Sequence, residues 1–302
     1  MRRVWRAGRE LALGLVAGLC AALMAPLHAA PLAVLDDLGR RVELPRPAQR
    51  VAALAPHLVE QLAAIGALDR VVATSEFADY PEVARTIPRV SRAGSVDLER
   101  LAAARPDLVL VWGGGGSPSL RTAIERLGLP VYVAEARELE HIASSMERLG
   151  RLVAAPRAAQ AAAQFRRETE ALRQRWAESA PVRVFFQVWD SPLMTVGGRQ
   201  VITQAIGLCG GQNVFASLEP LAPTVSREAV LAADPQLIVA AEPGGVARAE
   251  LARQWSAYPQ LSAVKHQAFL TLDADRINRA GPRLPAEIGR LCEAIERVRR
   301  LR

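Results

Sequence analysis

The 302-residue chain has a single lysine, three cysteines and few aromatic residues, 5% of the total. Each scarcity excludes something. A phosphate-binding loop of the GxxxxGK[ST] kind needs a lysine to reach the phosphates. The glycine run Gly113–Gly116 instead leads into Ser117 and Pro118, and the lone lysine is the distant Lys265. A nucleic-acid surface needs basic residues gathered into a patch, with aromatics among them for single strands. Here the arginines are dispersed among acids, so no nucleic-acid partner is expected. There is no GxSxG elbow and no HExxH, and His57, His141 and His266 are widely separated. No catalytic residue and no metal site is therefore expected.

Half of the residues are apolar. With so few aromatics the cores must be aliphatic, and the length suits two domains of ordinary size. Arg2, Arg3, Arg6 and Arg9 against Glu10 supply three of the seven net positive charges. This basic start is followed by the apolar run "LALGLVAGLCAALMAPL" and then by the small residues of "HAA". That order is the pattern of a secretory signal, assigned to residues 1–29, with export to the periplasm; the alternative is a retained membrane anchor. Export leaves Cys209 and Cys292 in the mature chain. In an oxidising compartment an even pair is most simply one disulfide, worth on the order of 4 kcal/mol for a long loop. A two-cysteine metal or redox site is the alternative, without a CxxC or a histidine cluster to support it.

Residues 50–137 alternate short apolar runs with helical stretches: "RVAALAP", "HLVEQLAAIGA", "DRVVATS", "DLERLAAAR", "DLVLVW". Continuous apolar strands between helices predict a parallel sheet covered on both faces. After Pro181 the pattern restarts with "VRVFFQVW", "QVITQAIGLCGG" and "VSREAVLAADPQLIVAA". Laying Pro106 on Pro235 superposes Glu99 on Glu228, Leu108 on Leu237 and Val109 on Ile238. Such internal similarity predicts two α/β lobes, 50–137 and 180–302. The stretch 138–179 between them is rich in Ala, Arg, Glu and Leu, which predicts a helical linker, with Pro156 as a break or restart. A stiff linker implies a cleft that closes little.

In open α/β sheets, ligands bind outside the carboxyl ends of the strands. That rule selects Pro56 and His57, Phe77 with Asp79 and Tyr80, Trp112 beside its glycines, Trp189 with Asp190, and Asp275 and Arg279, the last two placed in a late loop. Glycines next to Trp112 would let a large flat ligand approach the indole. Trp112 could equally cap the core.

Several of these stretches carry a resemblance. The run from "RVAALAPHLVEQLAAIGALDRVV" through "DYPEVARTIPRVSRAGSVDLERLAAARPDLVLVWGG", together with "QVWDSPLMTVGG", "LCGGQNVF", "PTVSREAVLAADPQLIV" and "RAGPR", resembles the periplasmic cobalamin-binding proteins of ABC importers. The resemblance implies a class III periplasmic binding protein: α/β, two lobes with parallel sheets joined by a single long α-helix. It implies a corrinoid ligand held between the lobes, contacted by Pro56, Phe77, Trp112, Asp275 and Arg279. It also implies the Cys209–Cys292 disulfide, and docking of Glu99 and Glu228 onto the transmembrane subunits of the importer. The family's best-known members carry tryptophans where this chain has Arg92-Ala93-Gly94 and Ala222, and Trp189 is the candidate replacement. The expected protein is a monomeric, non-enzymatic receptor. Haem or a ferric siderophore is the alternative ligand, with His57 or Tyr80 as an axial donor for haem. An exported α/β enzyme is the remaining class, and it would need a nucleophile–base pair that the sequence does not offer.

Overall fold

The computed structural model describes residues 31–92, 95–114, 118–176, 180–242 and 248–301. The signal segment 1–29 lies outside the described residues. The chain first forms an antiparallel hairpin, β1 (Leu32–Leu35) and β2 (Arg41–Leu44), with Val34 opposite Val42. The first lobe follows: β3 (Val51–Ala53), α1 (Pro56–Ala64), β4 (Val71–Ser75), β5 (Arg89–Arg92), β6 (Ser95–Val96), α2 (Leu98–Ala103), β7 (Leu108–Trp112), α3 (Pro118–Arg126) and β8 (Val131–Ala134). Its six strands lie in the order β6-β5-β4-β3-β7-β8, and only β6 runs antiparallel to its neighbour. The parallel sheet expected over 50–137 is therefore present. Its apolar runs are explained by burial on both faces: Leu108, Val109 and Leu110 are all fully buried.

Two helices follow, α4 (Leu139–Leu152) and α5 (Ala158–Trp176). The stretch 138–179 is thus not one helix. It breaks ahead of Pro156, where Ala154 takes a positive φ of 47°. The two helices then pack closely, because a Cβ on Gly150 would collide with that of Ala158. Among the described residues only α5, at 19 residues, has the length of the expected bridge. It packs on α4 at one side and on helices of the second lobe at the other.

The second lobe comprises β9 (Val182–Gln187), α6 (Val201–Leu208), β10 (Gly211–Asn213), α7 (Arg227–Ala233), β11 (Leu237–Glu242), α8 (Arg248–Trp255), α9 (Ser262–Lys265), β12 (Phe269–Asp273), α10 (Ala274–Ile277) and α11 (Leu284–Arg299). Its four strands are all parallel, in the order β10-β9-β11-β12. A disulfide joins Cys209, at the end of α6, to Cys292 in α11, and both residues are fully buried.

One apolar core runs through both lobes. It includes Leu110 and Tyr132 from the first sheet, Met146, Phe165 and Trp176 from the helix pair, and Val184, Phe186 and Leu291 from the second lobe. Each large side chain so buried contributes roughly 1.5–3 kcal/mol. Lobes that share a core cannot separate freely, since any hinge motion would have to expose it. Two further clusters cover the other sheet faces, one around Val109 and Ile124, the other around Phe185, Phe215 and Trp255.

Candidate functional site

Three adjacent strands of the first sheet, β4, β3 and β7, end side by side. After β4 the chain turns through Phe77, which holds a positive φ of 65° and leaves its ring 70% exposed. A left-handed backbone at a bulky residue costs about 1–3 kcal/mol and persists only when its surroundings enforce it. Arg89 does so here, its Nη1 donating to the carbonyls of Ser75 and Ala78 on either side of the turn. After β3, Pro56 opens α1, where its missing N–H is no loss. His57 comes next and is buried. At the end of β7, Trp112 is half-exposed, and its indole meets the His57 imidazole edge-on, with centroids 6.1 Å apart and planes at 84°. Burial, with a smaller push from the positive charge of Arg279, lowers the His57 pKa to about 4. The imidazole is therefore neutral at ordinary pH.

The glycines beside Trp112 serve a local purpose. A Cβ on Gly114 would come within 3.0 Å of the indole, and one on Gly113 would run into the Glu135 side chain. They seat Trp112 itself, while Gly115 and Gly116 lie outside the described residues. A cavity of about 820 Å³ borders Phe77 and is lined by Glu76, Asp79, Arg85, Arg89, Ser91 and Asp97 among others. Ser91 and Ser95 in its lining flank the point where a family tryptophan is replaced; Ala93 and Gly94 themselves lie outside the described residues.

The polar candidates behave differently. Asp275 belongs to α10, which Asp273 caps by accepting from the Asp275 N–H at 3.0 Å, so it is helical rather than in a loop. Arg279 just beyond is 9% exposed. Its Nη1 donates to Glu60 and Asp79, both at 3.0 Å, and its Nη2 to Asp275 at 2.6 Å and to the Phe77 carbonyl at 3.2 Å. Arg283 adds two bonds to Glu60 and lies 4.0 Å over the Tyr80 ring. Gln61 Nε2 donates to the Ala280 carbonyl at 2.9 Å. This is a clasp between the two lobes, centred on Glu60, whose side chain is 1% exposed. Burial opposes the Asp79 charge, but the hydrogen bond and field of Arg279 prevail and hold its carboxyl below the usual range.

The structure thus brings Pro56, His57 and Trp112 together, and Phe77 with Arg279 and Asp275. Trp189 follows β9 in the second lobe, 63% exposed; its Nε1 donates to the Ser191 carbonyl and its backbone pairs with Met194. Ala222 is exposed. Glu60 was not among the sequence candidates. Its signal was present: a carboxylate and Gln61 inside an apolar helix, and two arginines four apart at 279 and 283. Glu99 and Glu228 occupy matched positions, each the second residue of a helix and each exposed. Asp97 caps one helix and Ser226 the other.

A pair of α/β lobes on a shared apolar core, clasped together through Glu60, Arg279 and Arg283 and carrying exposed aromatic side chains at or just after strand ends, has the architecture of a solute receptor. Residues 51–276 match the periplasmic binding protein family, and the chain belongs to it. It is 35% identical over 249 residues to the vitamin B12-binding protein of Vibrio cholerae, covering 82% of this chain and 89% of that one. The crystal structure of periplasmic vitamin B12 binding protein BtuF of Vibrio cholerae superposes with a TM-score of 0.76 at 34% identity, covering 83% of this chain and 98% of that one. The periplasmic heme-binding protein RhuT from Roseiflexus sp. RS-1 has the same fold, with a TM-score of 0.72 at 20% identity, covering 83% and 99%.

Proposed function

We propose that the protein captures cobalamin or a related corrinoid in the periplasm and delivers it to the transmembrane subunits of an inner-membrane ABC importer. The observation that carries this is the trio of exposed aromatic rings, Phe77, Trp112 and Trp189, at strand ends of a chain 35% identical to a vitamin B12-binding protein. A corrin is broad, flat and mostly apolar, with amides around its rim. It needs aromatic walls and a few polar partners. Pro56, Phe77, Trp112 and Trp189 supply the walls. Asp275, Asp79 and Glu76 offer acceptors, and Arg279 positions that side of the site because four of its N–H groups are already engaged.

Residues 1–29 act as a cleaved export signal, the mature receptor is a monomer, and its role is binding rather than catalysis. Glu99 and Glu228 dock the two lobes onto the importer. Titration of the purified protein with cobalamin, haemin and a ferric hydroxamate, followed by calorimetry and visible absorption, tests the ligand. Saturable binding of cobalamin in preference to the other two is expected. Binding of haemin or of the siderophore alone would replace the corrinoid with that ligand on the same scaffold.

A further inference from the structure

Among the described residues, five other than glycine hold a positive φ: Phe77, Arg105, Ala154, Asp234 and Gln267. Four of them stand at helix ends, behind α2, α4, α7 and α9, where a left-handed residue commonly closes the last turn. Phe77 follows strand β4 instead and is the one aromatic residue of the five. Glycine or asparagine would serve such a turn at less cost. The burial around it is inverted as well. Ala78 is fully buried, whereas Phe77 beside it is 70% exposed. A lone exposed ring is ordinary. An exposed ring on a strained backbone is not, because the fold gains little from either.

The strain is held from two sides. From its own lobe, half-buried Arg89 at the start of β5 donates from a single nitrogen, Nη1, to the Ser75 carbonyl at 2.9 Å and to the Ala78 carbonyl at 2.8 Å. Those carbonyls flank Phe77, so the guanidinium closes the turn across it. From the second lobe, Arg279 donates to the Phe77 carbonyl and to Asp79. Hydrogen bonds from a charged donor are about twice as strong as neutral ones, which suits them to holding a conformation the residue itself resists. Phe77 and Arg89 both line the cavity of about 820 Å³. Arg89 thus shapes that space through the ring it places, with no need to touch a ligand.

We propose that Arg89 is a positioning residue for ligand binding, holding Phe77 in the left-handed conformation that presents its ring to the corrinoid. The inference rests on the corrinoid reading above. The strained backbone is kept for the wall it supplies, and Arg89 matters to affinity only while the ring is there to be held.

Two comparisons test this, and the first needs no ligand. Phe77→Gly and Phe77→Ala both remove the ring and differ in the freedom they give the backbone. Glycine ordinarily destabilises relative to alanine, but at a held positive φ the order reverses. The urea midpoint of Phe77→Gly should therefore lie above that of Phe77→Ala. Equal midpoints or the opposite order overturn the proposal, even if no Arg89 variant folds. The second comparison uses cyanocobalamin and calorimetry. Arg89→Gln should weaken binding by about fivefold or more in the otherwise native protein, and by less than about twofold in the Phe77→Gly background. A general folding role, or direct contact of Arg89 with the ligand, would weaken binding by the same factor in both backgrounds and overturns the proposal. So does an Arg89→Gln variant that binds like the wild type. A wild-type protein that retains no cyanocobalamin overturns the corrinoid reading itself, and this inference with it, whatever the order of the midpoints.

Discussion

The two lobes meet at the same place but bring different chemistry to it. The first presents exposed rings at the ends of β4 and β7, on either side of β3, with Phe77 70% and Trp112 47% accessible. The second brings Asp275, Arg279 and Arg283, whose charges are already spent on Glu60, Asp79 and each other. Open apolar surface is free to bind a ligand. Satisfied ion pairs hold a geometry instead. On the function proposed above the lobes divide the labour, one forming most of the wall and the other fixing how far the walls stand apart.

The largest effect should come from breaking the clasp. Glu60 is fully buried and holds two guanidinium groups, so Glu60→Ala leaves Arg279 and Arg283 without their main counter-charge. Removing one partner of a buried pair costs about 3–5 kcal/mol. Urea denaturation should show a loss of that order, together with weakened ligand binding. An overlapping denaturation curve would mean that the lobes are held by their shared core alone.

His57 lies where the two chemistries touch, and it sharpens the comparison through pH. Its folded pKa, about 4, is below the ordinary 6.5. Between those values the unfolded chain binds more protons than the folded one, so stability rises with pH across the window. On acidification from 6.5 to about 4 the protein should lose up to roughly 3 kcal/mol from this group. Replacing His57 with Gln should flatten that part of the profile, read from midpoints of chemical denaturation. A slope unchanged in the variant would transfer it to groups other than His57.

Trp112→Ala tests the wall rather than the clasp. Loss of a large apolar contact should cost about 1–3 kcal/mol of corrinoid affinity, which corresponds to roughly 5- to 150-fold. Calorimetry on the variant and on a surface substitution of similar size separates contact from general damage. Equal affinities would make Trp112 a lid on the core and move the binding surface to Phe77 and Trp189.

This division of labour was only half legible in the sequence. Apolar runs such as "LVLVW" and "VFFQ", short and rich in β-branched and aromatic residues, read as strands buried on both faces, and the strand-end rule then selects Trp112. The clasp was hidden for a physical reason. A carboxylate on an amphipathic helix ordinarily belongs to its wet face, and the partner that buries Glu60 lies 219 residues away. The same distance hid the acceptors of Arg279, so that the sequence pointed to a ligand contact there and not to its bonds with Glu60 and Asp79. The hairpin Leu32–Leu44 was missed as well. Its alternation is sound, with Val34, Val42 and Leu44 buried, but each strand is only four residues long and charges separate them. Pro156 did mark a helix break, though not that the two halves would fold back on each other.

The smallest expected effect on binding belongs to Glu99 and Glu228, and there the lobes should cease to differ. The two residues superpose in the internal repeat and stand at the same step of α2 and α7, behind the caps Asp97 and Ser226. Bonding to its own backbone N–H and to Ser226 holds the Glu228 carboxyl below the usual range, so it is ionised wherever the receptor works. A carboxylate in a first helical turn is favoured by the helix dipole, which by itself could account for both. Matched exposed charges on two similar lobes would also suit two similar transporter subunits, each offering a cation. Charge pairs at such a rim govern encounter and register more than ligand affinity. Glu99→Ala combined with Glu228→Ala should therefore leave corrinoid affinity where it was and reduce uptake through the cognate importer in reconstituted vesicles, with each single variant intermediate. Undiminished uptake by the double variant would return both residues to the role of helix-start carboxylates and leave the docking surface to be sought elsewhere on the lobes.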